Sequence, residues 1–409
     1  MRIRWLSLLL AVLTLIMCAG VVLADSNLVN STPDLNLEVH GWSLTRLYVD
    51  ATVDANRDLT GDISDIHRAT FADEERISLS GLMKFKNGSS AYGEIYIHPL
   101  LKSSDPSALY LESAYYDVPT DPGSKARVGK GRNMAFGLVP TYGNRKTSNY
   151  SPLSEAFTQD RVLGVQYIKS KGPDYFALGL LNMLRPGKRF IGVAAGSQLY
   201  RNDGPPGSLG STTVAHLADR DAPGNRPDTL QASARYARQI GDLNIGVSGR
   251  VGELDNQDVG FMASNFPTYG GGKDVTRWGA DTVYRKLPYF ASAQYYAGDT
   301  GGIKNNGWEV TIGVEPSKKC TGFWREFSSA CQGLFVRYGQ LDIDVPTTLN
   351  SITWDTRQLA VSYVLPLKVE GVDVIKWLQF EYESNTEKPP AGADEVPNNL
   401  FFVELFTAF

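Results

Sequence analysis

The sequence predicts an all-β fold, a 16-stranded antiparallel transmembrane β-barrel, and three observations carry that expectation. Segments of about ten residues alternate apolar and polar positions with a period of two. Short turns and long polar loops separate these segments alternately. The chain also ends in a strand, Leu400 to Phe409, whose last residue is aromatic. Composition agrees, since 40 Gly and 20 Tyr among 409 residues suit many strands joined by turns. Beyond the N-terminus no stretch approaches the ~18 apolar residues of a membrane helix, which excludes a helical transporter.

Residues 1–24 read as a signal peptide and residues 25–409 as the barrel. Arg2 and Arg4 form a positive start, an apolar stretch runs from Leu8 to Leu23, and Val22-Leu23-Ala24 supplies small residues for cleavage before Asp25. Cys18 does not make a lipoprotein signal, because Met17 is bulky where a small residue is needed. Removing the leader takes away two arginines and no acid, so the exported chain is acidic and offers nucleic acid no surplus of cations. Cys320 and Cys331 then remain as an even pair in an oxidising compartment and are expected to form one disulfide.

The first strand shows the period most clearly. Leu35, Leu37, Val39, Gly41, Ser43, Thr45, Leu47, Val49, Ala51 and Val53 fall on one face without a charge, and Glu38, His40, Arg46 and Asp50 lie on the other. The pattern returns in Arg76–Lys86, in Leu243–Gly252, and in Trp308, Val310, Ile312 and Val314 against Glu309, Thr311 and Glu315. One apolar face and one wet face are what a barrel around water requires. Strands are expected near 35–53, 76–86, 90–98, 109–118, 124–131, 161–169, 174–184, 229–240, 243–254, 275–286, 289–298, 307–315, 332–343, 354–366, 374–384 and 400–409.

Asn87-Gly88, Gly241-Asp242 and Leu287-Pro288 mark tight turns at one end. Eight polar stretches at the other end read as long loops, among them 54–75, 132–160, 185–228 and 299–306. An N-terminus in the periplasm then places the tight turns there and the long loops outside the cell.

Few motifs carry chemistry. Asp54, Asn56, Asp58, Asp62 and Asp65 have calcium-loop spacing, but Leu59 replaces the central Gly and the twelfth position is Asp, so a solvated acidic loop is preferred. His40, His67, His98 and His216 are scattered and form no zinc pattern. No nucleophile elbow, phosphate loop or haem-attachment motif occurs, so neither an enzyme nor a cofactor is expected.

Arg127-Val128-Gly129-Lys130-Gly131-Arg132, then Phe136-Gly137, then Arg161-Val162-Leu163-Gly164-Val165-Gln166 resembles the phosphate-selective porin O/P family. Gly179-Leu180-Leu181-Asn182 resembles the strand that follows. Gly131 and Ala135 depart from the family pattern, where an aromatic and a Pro are usual. The resemblance implies an outer-membrane porin, a homotrimer whose third loop folds inward to narrow a water-filled channel for ions and small hydrophilic solutes. Independently of that resemblance, Phe409 after alternating apolar residues looks like the signal read by the outer-membrane assembly machinery.

On that reading the pore constriction is formed by Arg132, Tyr142, Arg145, Lys146, Glu155 and Asp160, whose opposed charges would act on passing ions. Replacing Arg145 and Lys146 with Glu is then expected to leave folding intact and favour cations. Inward Lys84, Lys125, Arg127, Arg235, Arg250 and Arg277 are balanced by Glu38, Asp50, Glu309, Glu315 and Glu381, so the sequence assigns neither anion nor cation preference. The alternative is a barrel scaffold sheathing a multihaem cytochrome partner in an electron-transfer conduit. Elaborate segments such as Gly143-Asn144-Arg145-Lys146 and Phe157-Thr158-Gln159-Asp160 are consistent with it.

Overall fold

The computed structural model describes residues 36–53, 64–66, 70–71, 76–97, 109–138, 146–148, 150–158, 161–182, 229–256, 259–260, 263, 270–316, 332–345, 352–353, 355–367, 375–388 and 396–408. Residues 1–24, expected to be a leader, and Cys320, Cys331 and Phe409 lie outside them.

Sixteen long strands form the wall. They are β1 (Asn36–Val53), β2 (Arg76–Lys84), β3 (Ser90–Ile97), β4 (Leu109–Pro119), β5 (Ser124–Arg132), β6 (Arg161–Lys171), β7 (Asp174–Asn182) and β8 (Gln231–Ile240). The second half comprises β9 (Leu243–Glu253), β10 (Asp274–Lys286), β11 (Tyr289–Thr300), β12 (Ile303–Val314), β13 (Gly333–Val345), β14 (Asp355–Leu367), β15 (Ile375–Lys388) and β16 (Val396–Ala408). Short strands at Ser64–Ile66, Thr70–Phe71 and Ile352–Thr353 extend the sheet at its long-loop end.

Every neighbour is antiparallel, and β16 returns to β1 from Trp42↔Ala408 to Val53↔Asn398. The sheet therefore has no edge, the condition for crossing a bilayer with strands. All sixteen expected strands are present. One connection differs from its expectation. Within 299–306 the ladder continues until Thr300 pairs with Ile303, and the connection is the two-residue turn Gly301-Gly302, with φ of 63° and 96°. Both central residues need positive φ in such a turn, which two glycines supply. The connection is shorter than expected but not missing, so the strand count is unaffected.

Alternation decides which side chain faces where. Val39 is 64% exposed and Ile312 55%, and they belong to the apolar outer face. Arg46, Arg277, Arg337 and Glu404 are buried on the inner face. The inner face is less uniformly wet than its sequence suggested. Trp42, Tyr96, Phe290, Phe335, Val364, Trp377 and Phe406 form a buried cluster on it, with Trp377 and Phe406 stacked at 3.8 Å between centroids. Trp377, Phe406, Phe335 and Phe290 all sit near the tight-turn ends of their strands.

Candidate functional site

The connection from β5 to β6 carries the densest set of long-range contacts. It begins with an Asx turn, in which Asn133 Oδ1 accepts from Ala135 N at 3.0 Å. Gln166 of β6 holds both sides of this start, accepting from Met134 N at 2.7 Å and donating to Arg132 O at 3.0 Å. Tyr175 of β7 donates to Met134 O at 2.8 Å. Gly137 N then donates to Ser248 Oγ of β9 at 3.0 Å, and Leu138 N to Tyr296 Oη of β11 at 2.8 Å. Gly137 has φ of 68°, and a Cβ there would stand 2.5 Å from the Thr158 methyl, so the position admits only glycine.

Farther along, three consecutive residues are clamped to the wall. Lys146 pairs with Glu315, which also receives Arg285 Nε at 3.0 Å, and its ammonium lies 4.9 Å from the centroid of Phe290. Burial pulls the Lys146 pKa below the usual lysine range and Arg285 adds to this, whereas Glu315 opposes it. Arg337 of β13 donates to Thr147 Oγ1 and, at 2.6 Å, to Gln358 Oε1. Ser148 N donates to Glu381 Oε2 at 2.6 Å, while its hydroxyl donates to Glu404 and accepts from Arg46 Nη2 at 2.7 Å. Arg46 and Glu404 pair directly at 2.9 Å, with side chains 2% and 0% exposed.

A six-residue helix, α1 (Pro152–Phe157), follows. Ser151 caps it by accepting from Ser154 N at 3.0 Å, and Pro152 begins it where a missing N–H costs nothing. A helix this short does not stand alone in water. Packing supplies the rest: it lies on β12 and β13, Phe157 meets the Tyr296 ring at 5.7 Å, and Arg277 donates to Ala156 O at 2.8 Å. Room for it comes from small residues on the inner wall. A Cβ on Gly307 would lie 2.9 Å from Leu153, and one on Gly279 would collide with the Tyr296 ring that supports Phe136 and Phe157.

The wall of β2 to β5 packs upon itself instead. Leu82, Tyr92 and Tyr115 form a buried cluster, and the Arg127 guanidinium sits 3.6 Å over the Tyr115 ring. Asp117 accepts from Arg127 Nε at 2.8 Å and from Lys125 Nζ at 2.8 Å. Next to them a cavity of about 590 Å³ opens among three tight turns, lined by Ser90, Asp117, Thr120, Asp121, Ser124 and Lys125.

The expected constriction residues are distributed unequally. Arg132 is buried, with Nη2 3.5 Å from Tyr150 Oη, and Lys146 is buried against Glu315. Tyr142, Arg145, Asp160 and the side chain of Glu155 lie outside the described residues. The Lys146 geometry corrects the expectation that Arg145→Glu with Lys146→Glu spares folding, because a Glu at 146 would face the fully buried Glu315. Sequence reading missed Glu404 and Arg337. Glu404 was within reach: pairing the first strand with the last puts it opposite Arg46. Of the calcium-spaced acids only Asp65 is described, and no group of three metal ligands occurs among the described residues.

Solved structures share this architecture. OmpF of Salmonella typhi, in complex with daunomycin, matches with a TM-score of 0.54 at 10% identity, over 91% of this chain and 97% of that one. The anion-selective porin from Comamonas acidovorans matches at 0.50 and 12% identity, over 92% of this chain and 100% of that one. The fold is that of the bacterial outer-membrane porins. No family model matches the chain, and no curated protein does. At these identities the likeness concerns the fold, and the porin-type barrel here owes its details to its own side chains.

Proposed function

We propose that this barrel is an outer-membrane porin, a channel for passive passage of ions and small hydrophilic solutes. The observation that carries the reading is the β5–β6 connection, whose described contacts fall on inward-facing residues of β6–β13, β15, β16 and β1. A segment held in this way fills part of the lumen and leaves the water path beside β2–β5, where the cavity with Lys125 and Asp117 opens. Fixed charges beside a narrow path in a low-dielectric wall decide which ions enter. The motif resemblance supports the phosphate-selective family and a homotrimer, while mixed charge along the path leaves the solute class to experiment.

The sheath reading has no comparable support. A partner inside the lumen would have to displace the clamps at Thr147 and Ser148. Purified barrel in a planar bilayer is expected to give stepwise ohmic conductance with a defined reversal potential in a KCl gradient. Folded, heat-modifiable barrel that never conducts would overturn the channel reading.

A further inference from the structure

The outer wall carries a cluster of cations at the tight-turn rim of β6–β8. At the tight-turn end of β6–β8, Lys171, Asp174 and Arg238 stand in one cross-strand row, and Lys169, Phe176 and Tyr236 stand in the next. Arg238 is 54% exposed, with Nη1 3.4 Å from Asp174 Oδ1, which also accepts from Tyr236 Oη at 2.6 Å. Lys171 is exposed, and Lys286 adds an exposed cation on β10. At the other rim, exposed Glu253 and Asp274 face each other across β9 and β10.

We propose that the β6–β8 rim binds the headgroup of an anionic phospholipid. With Lys286 and the exposed Asp242 of the β8–β9 turn included, four cations against two carboxylates leave net positive charge where the aromatic pair Phe176–Tyr236 marks the membrane interface. Exposed Val247 stands beside Tyr236 in the same row, and farther from the rim the same face carries exposed Leu163 on β6, an apolar surface for the acyl chains. That surface distinguishes a lipid from a soluble phosphate, which would use the cations alone. Asp174 orients Arg238 and Tyr236 without cancelling the patch. The proposal rests on the outer-membrane reading, with tight turns at the phospholipid leaflet.

The test uses the full barrel in detergent, with phosphatidylglycerol and phosphatidylcholine as competing probes and retained lipid read by native mass spectrometry. Wild type is expected to keep phosphatidylglycerol at least ~10-fold better. Each cation near an anionic surface contributes several-fold, so the Lys169→Gln, Lys171→Gln, Arg238→Gln variant should lower that retention ~10-fold, to the level of phosphatidylcholine. Phosphatidylcholine retention should not move, and Glu253→Gln with Asp274→Gln should have no effect. Should the triple variant fold poorly, loss of wild-type retention with rising salt tests the same charges. Equal retention of both lipids, salt-independent retention, or displacement of phosphatidylglycerol by equimolar inorganic phosphate would overturn the proposal. Conductance in phosphatidylcholine bilayers is measured on the same samples, and a barrel that binds lipid but never conducts would sink the channel reading alone.

Discussion

The inner wall has two regions that use charge differently. On β13–β16 and β1, charged side chains are buried and spent on holding the chain's own connection: Arg46 and Glu404 grip Ser148, and Arg337 grips Thr147. On β3–β5 the charges pair locally within a hairpin, Asp117 with Arg127 and Lys125, and Lys125 stays 35% exposed beside a cavity. On the proposed channel reading the difference separates architecture from transport: a charge buried by a docked segment contributes to fold, and one beside water acts on passing ions.

The largest expected effect breaks the first region. Arg46→Ala removes the guanidinium from a fully buried Glu404, and such truncations cost about 3–5 kcal/mol, read as a lower midpoint of denaturant unfolding. Arg46→Met combined with Glu404→Leu should recover most of that loss, and equal destabilisation of single and double variants would mean the pair is not the cause. Next comes the notch for α1. Gly307→Leu sets a side chain against the Gln340 carbonyl of β13 as well as into the space of Leu153, and should cost about 3 kcal/mol while raising single-channel conductance as the helix lifts. Unchanged conductance would place α1 away from the path.

The smallest effect on stability belongs to the second region. Lys125→Gln, partly exposed and leaving Arg127 on Asp117, should change stability by no more than about 1 kcal/mol yet shift the reversal potential toward cation selectivity. A shift caused by Lys304→Gln, exposed on the outer face near the long-loop end, but not by Lys125→Gln would move the path away from β2–β5.

How much of this was legible follows from the range of each interaction. The strands could be read because alternation is local: Val39, Gly41 and Ser43 declare an outer face without knowledge of any partner. The Gly301-Gly302 turn was misread because polar neighbours at 299–306 look like a loop, and only pairing of Thr300 with Ile303 shows that the ladder continues to its end. Similarly, β15 runs to Lys388 and β16 starts at Val396, beyond the expected ends, because a polar sequence can still complete a hydrogen-bonded ladder.

The sequence by itself determined the strand number, the two faces and the closure of the last strand on the first, since a period of two and a partnerless edge leave few other solutions. Tertiary structure decided what the inner face does. Whether Arg46 meets water or Ser148, and whether Trp377 and Phe406 line a lumen or pack in a buried cluster, depends on contacts between residues far apart in the chain. No local pattern encodes those contacts, because each joins two surfaces that alternation marks only as inward.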